Sequence, residues 1–260
     1  MKNKTQSYEY IFDYILEQLN RMFQLMDISK PICSASNIED ARFKSKDKGF
    51  THIPITGNEK QIREYYDAKT DRIIPIRLGM HVVSDGIGGM EAIPLMTEKE
   101  FFFVLTGNEI TRNIHFTDIN SPYISIGLYA KLNYLEVSIR SAIRKVTGNG
   151  ETEQIKYLKA NLSKKESNNI INHYFSKKDK DLHIDPVNEL YINQKLHLAR
   201  KLNLTQINNT TIDELKNMRN SLLHFSDIIR NHEDIDRWVR FLNESDRIIK
   251  NVKEFLNSNP

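Results

Sequence analysis

Residues 101–120 read FFFVLTGNEITRNIHFTDIN, and residues 121–146 read SPYISIGLYAKLNYLEVSIRSAIRKV. The first stretch holds two apolar runs, Phe101 to Leu105 and Ile110 to Phe116, on either side of Gly107-Asn108. Short apolar runs flanking a Gly-Asn pair predict two strands and a tight turn. In the second stretch Leu128, Leu132, Leu135, Ile139, Ile143 and Val146 step by three and four residues. That spacing predicts one long amphipathic helix. The period changes at Pro122, so the chain reads as an α+β protein, with a mixed α/β part before the proline and an all-helical bundle after it.

Toward the N-terminus the 101–120 pattern has a counterpart. Thr-Gly-Asn-Glu occurs at 56–59 and again at 106–109, once in HIPITGNEKQIREYY and once in FFFVLTGNEITRNIHF. Strands are expected at His52 to Ile55, Gln61 to Tyr66 and Ile73 to Ile76, and helices at Ile38 to Lys46 and Gly88 to Leu95. Each copy runs helix, strand, turn, strand, which predicts a pseudo-symmetric module. Ahead of it Tyr8, Ile11, Phe12, Ile15, Leu19, Phe23 and Met26 mark a helix over 7–27, stopped by Pro31.

Past the long helix, Gly148-Asn149-Gly150 is a break. A single Lys-rich helix is expected to about Lys178. A third helix carries Leu196, Ala199 and Leu202, and Thr211 with Glu214 reads as the capping box of a fourth. A fifth, from about Asp234 to Leu256, carries Trp238, Phe241, Ile248 and Val252. Five helices on short loops predict a bundle. The domains read as 1–28, an N-terminal helix; 29–120, the mixed module; and 121–260, the bundle.

Composition narrows the classes. Of 260 residues, 39% are hydrophobic and 27% charged, which supports a packed core and argues against wholesale disorder. The net charge of +3 permits a polyanionic partner without requiring one. Cys33 is the only cysteine, so an intrachain disulfide and a thiolate metal site are both excluded. The N-terminus lacks a signal peptide's apolar stretch, and no window nears the ~18 apolar residues of a membrane span. The expectation is a cytoplasmic protein without a membrane partner.

Two stretches resemble known families. EKEFFFVLTGNEITRNIHFTDIN resembles the end of a CBS motif: strand, Gly-containing turn, strand, then Thr/Ser-Asp at a helix start. CBS motifs pair into a regulatory module, and the resemblance implies an adenine nucleotide (AMP, ATP or a relative) as regulatory ligand. Thr117 would contact phosphate and Asp118 the ribose hydroxyls, with His115 where a Thr or Ser is usual. A carboxylate accepting from vicinal hydroxyls beside a helix N-terminus suits such a ligand.

The second stretch is Arg219-Asn220-Ser221-Leu222-Leu223-His224, which resembles the Arg-polar-x-x-x-His signature of HEPN domains. LYAKLNYLEVSIRSAI likewise resembles that family's opening helix. On a helical wheel Leu215, Met218, Leu222, Phe225 and Ile229 form the buried stripe, Asn220 and His224 share the opposite face, and Arg219 lies at the border. Leu223 also falls outside the stripe, on a face suited to a partner chain.

What the resemblance implies is a metal-independent ribonuclease that works as a homodimer, or a dimer of dimers, and cuts RNA such as tRNA, in stress response or phage defence. His224 would be general acid or base, Arg219 would stabilise phosphate charge, and Asn220 would orient His224 or a phosphate oxygen. No catalytic cofactor or metal is implied. Ser226 stands where some HEPN toxins carry a modifiable Tyr, which disfavours that regulation. The alternative is a non-catalytic nucleotide sensor or RNA-binding dimerisation module.

Other features read as structural. Asp85-Gly-Ile-Gly-Gly89 lacks the ending of a phosphate loop. His173 and His232-Glu233 have no ligand partners at metal spacing. Lys156, Lys159, Lys164 and Lys165 read as a basic helix face, solvated or, beside a nuclease site, holding RNA phosphates, and Glu136 with Arg140 as an intrahelical pair, with facing the active cleft as the lesser alternative.

Overall fold

In this computed structural model the residues described are 14, 17–18, 23–56, 62–180, 185–223 and 229–258. They fall into two compact units. One, the sheet unit, holds the described residues of 17–127 and 229–236; the other, the helical unit, holds those of 128–223 and 237–258 together with Tyr14.

The sheet unit runs β1 (Lys30–Pro31), α1 (Ile38–Lys48), β2 (His52–Thr56), β3 (Ile62–Asp67), β4 (Arg72–Pro75), β5 (Val82–Ser84), β6 (Phe101–Thr106) and β7 (Glu109–His115). Its strands form a four-stranded sheet in the order β1-β7-β6-β5 and a three-stranded sheet in the order β2-β3-β4. The repeat in the sequence is a repeat in the fold. Ala35 bridges Ile55 in parallel, α1 crosses over, and β2 and β3 pair antiparallel. Likewise β5 is parallel to β6, the helical turn Ala92–Leu95 crosses over, and β6 and β7 pair antiparallel. Both hairpins slip register near the turn, at Ile55/Thr56 and at Val104/Leu105. Gly107, at φ 60°, supplies the left-handed conformation that the second turn needs.

The copies diverge after their second strands. The first bends back into β4 through Asp71, a non-glycine residue at φ 53°. Asp71 is held there by a bidentate Arg42, at 2.8 and 2.8 Å, and by the Tyr66 hydroxyl at 2.8 Å. The second copy instead enters a short 3-10 helix, Phe116–Asn120. The first copy has a core cluster of its own, and a second cluster draws on both copies. Ala35, Ala41, Ile53, Ile55 and Tyr66 pack together in the first, while Tyr65, Phe101 and Phe103 join Ile32, Ile74 and Val82 across the two sheets. Each fully buried Ile or Phe among them contributes about 1.5–3 kcal/mol.

The segment 229–236 belongs to this unit through Asn120. The Asn120 side-chain amide donates to the Ile229 carbonyl at 2.7 Å and accepts from the Ile229 N–H at 2.8 Å. Phe116 and His232 rings lie 5.2 Å apart beside this clamp.

The remaining helices are α2 (Pro122–Thr147), α3 (Glu151–Asn161), α4 (Lys164–Lys178), α5 (Ile192–Lys201), α6 (Asn209–Leu223) and α7 (His232–Asn257). The α2 seam is buried at Leu128, Leu132, Leu135, Ile139 and Ile143, but Val146 is exposed. The Lys-rich segment is two helices rather than one. Ser163 ends the run by capping α4, accepting from Glu166 N–H while Glu166 reaches back to it. The start of α6 also differs from expectation. Asn208 caps it, its Oδ1 accepting from Thr211 N–H at 2.9 Å, so the helix opens before the Thr211-Glu214 pair. Of the expected helix over 7–27, residues 14, 17 and 18 are helical, Phe23 and Gln24 are not, and Leu25–Ile28 is a separate turn. The rest of that helix lies outside the described residues. No helix among the described residues is long and apolar enough to cross a membrane.

Candidate functional site

Helix α6 buries Ile212, Leu215 and Leu222 and packs beside α5. Turning these residues inward leaves Asn220 exposed and puts Arg219 at the border, as the helical wheel predicts. Met218 is only half-buried, and Leu223 is 38% exposed. His224 and Phe225 lie outside the described residues.

Arg219 faces Glu136 of α2, with its Nε 3.7 Å from Oε1. The other Glu136 oxygen takes the ammonium of Lys195, from α5. Lys195 is only 3% exposed. Burial pushes its pKa below the usual lysine range, and the Glu136 carboxylate opposes that shift. Glu136, Arg140 and Arg144 follow each other at intervals of four along α2 and so share a face. Arg140 donates to Asn188 Oδ1 at 3.0 Å, while its Nε is buried and has no hydrogen-bond partner among the described residues. Arg144 donates to Asp185 at 2.9 Å and to Asn188 at 2.7 Å. Desolvation, followed by the neighbouring Arg144, lowers the Arg140 pKa.

This cluster corrects the intrahelical Glu136–Arg140 pair read from the sequence. Glu136 is bound across helices instead, and Arg140 turns to Asn188. Among the described residues four cations (Arg140, Arg144, Lys195, Arg219) meet two carboxylates (Glu136, Asp185), an excess of two positive charges. Partly desolvated guanidinium groups in excess over carboxylates are suited to a phosphate. Sequence reasoning missed Arg144, Asp185 and, most buried of the three, Lys195. Its signal is a cation on the apolar stripe of α5, one turn after Ile192 and beside Leu196 and Ala199.

In the sheet unit, His115 ends β7 and Asp118 lies within the following 3-10 helix. Asp118 Oδ2 accepts from the His115 N–H at 2.8 Å, and Oδ1 pairs with Lys30 at 2.6 Å. His115 Nδ1 and Thr117 Oγ1 are 3.0 Å apart. The three residues are thus together, in a capping arrangement that occupies both Asp118 oxygens. Burial lowers the His115 pKa, against the opposing charges of Asp118 and Glu100. A cavity of about 580 Å³ elsewhere in this unit is lined by Met80, Val82, Ser84, Leu95 and Phe102, and not by these three.

His173 and Lys177 both contact Glu189 Oε2 at 2.8 Å. No group of three or more potential metal ligands occurs among the described residues. Lys156, Lys159, Lys164 and Lys165 are exposed, two on α3 and two on α4. No protein-family model, curated protein or solved structure matches the chain.

Proposed function

We propose that the helical unit is a metal-independent endoribonuclease of the HEPN type, working as a homodimer, and that the sheet unit is a CBS pair responsive to an adenine nucleotide. The observation that carries this reading is Arg219 at the rim of a cluster with excess positive charge, on the helix whose sequence continues to His224. RNA brings its own nucleophile. The 2′-hydroxyl loses its proton to a base and attacks phosphorus, and the P–O5′ bond breaks. The leaving oxygen takes a proton, giving a 2′,3′-cyclic phosphate and a 5′-hydroxyl. His224 serves this proton transfer near neutral pH, Arg219 stabilises the charge that builds on the phosphoryl oxygens, and Asn220 orients His224 or a phosphate oxygen.

Support for the CBS half is the twice-repeated unit of parallel strand, crossover and hairpin. A nucleotide at Thr117-Asp118 has to compete with Lys30 for the Asp118 carboxylate. Lys30 is 71% exposed, so releasing it to water costs little. A role in stress response or phage defence would fit a nuclease held off until a signal arrives.

The test is cleavage of total RNA and tRNA in EDTA, with and without adenine nucleotides, beside Arg219→Ala and His224→Ala. Cleavage that both substitutions abolish is the expected result. The second reading is a non-catalytic sensor or RNA-binding module. The Arg219–Glu136 contact favours it, because it gives Arg219 a structural partner. RNA or nucleotide binding without cleavage under any condition would establish that reading instead.

A further inference from the structure

We infer that Glu136 is a positioning residue for Arg219 and that buried Lys195 fixes Glu136 for this task, a relay from α5 through α2 to α6. The inference rests on the ribonuclease reading and adds two residues to its site.

The three groups differ in burial in an ordered way. The side chains of Lys195, Glu136 and Arg219 are 4%, 15% and 36% exposed. An ammonium this buried stays charged only beside a counter-charge, and Glu136 supplies it. One carboxylate oxygen is thereby committed and the carboxyl plane is set. The second oxygen faces Arg219 Nε across 3.7 Å, beyond hydrogen-bond range. Among the described residues Arg219 makes no hydrogen bond, so Glu136 aims the guanidinium by charge while its donors stay available. A fork of donors, aimed but uncommitted, is what bidentate phosphate recognition requires. Arg140, one turn along α2 from Glu136, adds positive charge to the same site.

A purely structural ion pair behaves differently on mutation. Removing one partner of a buried pair leaves the other charge stranded, whereas replacing both by neutral groups of similar size restores stability. If the relay serves only packing, activity must return along with stability in the double variant. If it serves Arg219, stability returns and activity does not.

The experiment measures melting temperature, kcat and KM for RNA cleavage in the wild-type chain, Glu136→Gln, Lys195→Met and the double variant. Both single variants are expected to melt lower. The double variant is expected to recover most of that loss, with kcat still about 10–100-fold below wild type and KM within about threefold, the size of loss that a misplaced catalytic group causes. Recovery of kcat together with melting temperature would overturn the inference, as would a rise in KM at unchanged kcat. A wild-type chain that cuts no RNA would remove the ribonuclease reading and this inference with it. The wild-type assay alone therefore distinguishes the two failures.

Discussion

Replacing Asn120 by Ala should free the segment that begins at Ile229. The amide of Asn120 satisfies both backbone groups of Ile229, at 2.7 and 2.8 Å, and Ile229 itself is 1% exposed. Each neutral hydrogen bond contributes about 1 kcal/mol net, and a buried backbone group left without a partner costs about 1–3 kcal/mol. Allowing for water reaching a half-buried site, the combined loss is about 2–4 kcal/mol. At about 1.4 kcal/mol per decade, local opening becomes roughly 30- to 700-fold more frequent. Amide hydrogen exchange read at Ile229 by NMR reports that opening directly. Asn120→Asp should be similarly damaging, because it keeps the acceptor for the N–H but sets a second oxygen against the Ile229 carbonyl. Protection at Ile229 that changes by less than about threefold in either variant would refute the clamp.

Two further predictions concern the sheet unit. Burial holds the His52 pKa down at about 4 from its ordinary 6.5, with Asp67 and Glu100 opposing the shift, and His115 and Lys69 adding to it. The unfolded chain therefore takes up the proton first, and stability falls as pH drops from about 6.5 to about 4, by about 2–3 kcal/mol at this partly open site. His52 corresponds to Phe102 in the repeat and already stacks on Phe101 at 3.7 Å. In denaturant titrations at pH 7 and 4.5, His52→Phe should flatten that window, and an unchanged slope would contradict the assignment. At Gly89 an added Cβ would meet Ile124 Cδ1 at 2.7 Å and the Phe23 carbonyl oxygen at 3.1 Å. Gly89→Ala should cost about 1–3 kcal/mol in the same assay, and no loss would show that this contact yields.

The strands that carry long apolar runs were legible, because a run such as Phe101 to Thr106 marks itself locally. β5 was not: Val82–Ser84 is three residues long and exists through parallel pairing with β6, a contact no local pattern announces. β1 is Lys30–Pro31, whose composition argues against a strand until its partner β7 is known. The split between α3 and α4 was written in Ser163 and Glu166, but the Lys-rich composition around them obscured it. For the candidate site, the border position of Arg219 followed from helical periodicity, since one face of α6 must be buried. Its partners did not follow. Glu136 and Lys195 come from two other helices, and the local rule of charges four apart pointed Glu136 to Arg140 instead. Pairing between helices depends on tertiary packing, which sequence spacing does not encode.

The Asn120–Ile229 clamp also sets an order of events during synthesis. Its partners are 109 residues apart in the chain. At about 5–20 residues per second the ribosome takes about 5–20 s to deliver the second after the first. Throughout that interval the nascent sheet unit lacks its closing segment, while the stretch 128–228 is being made. A nascent chain stalled at residue 220 should therefore leave the Asn120 amide without the backbone it is shaped to hold. The sheet unit thus waits for its last segment until the stretch 128–228 of the other unit has been made.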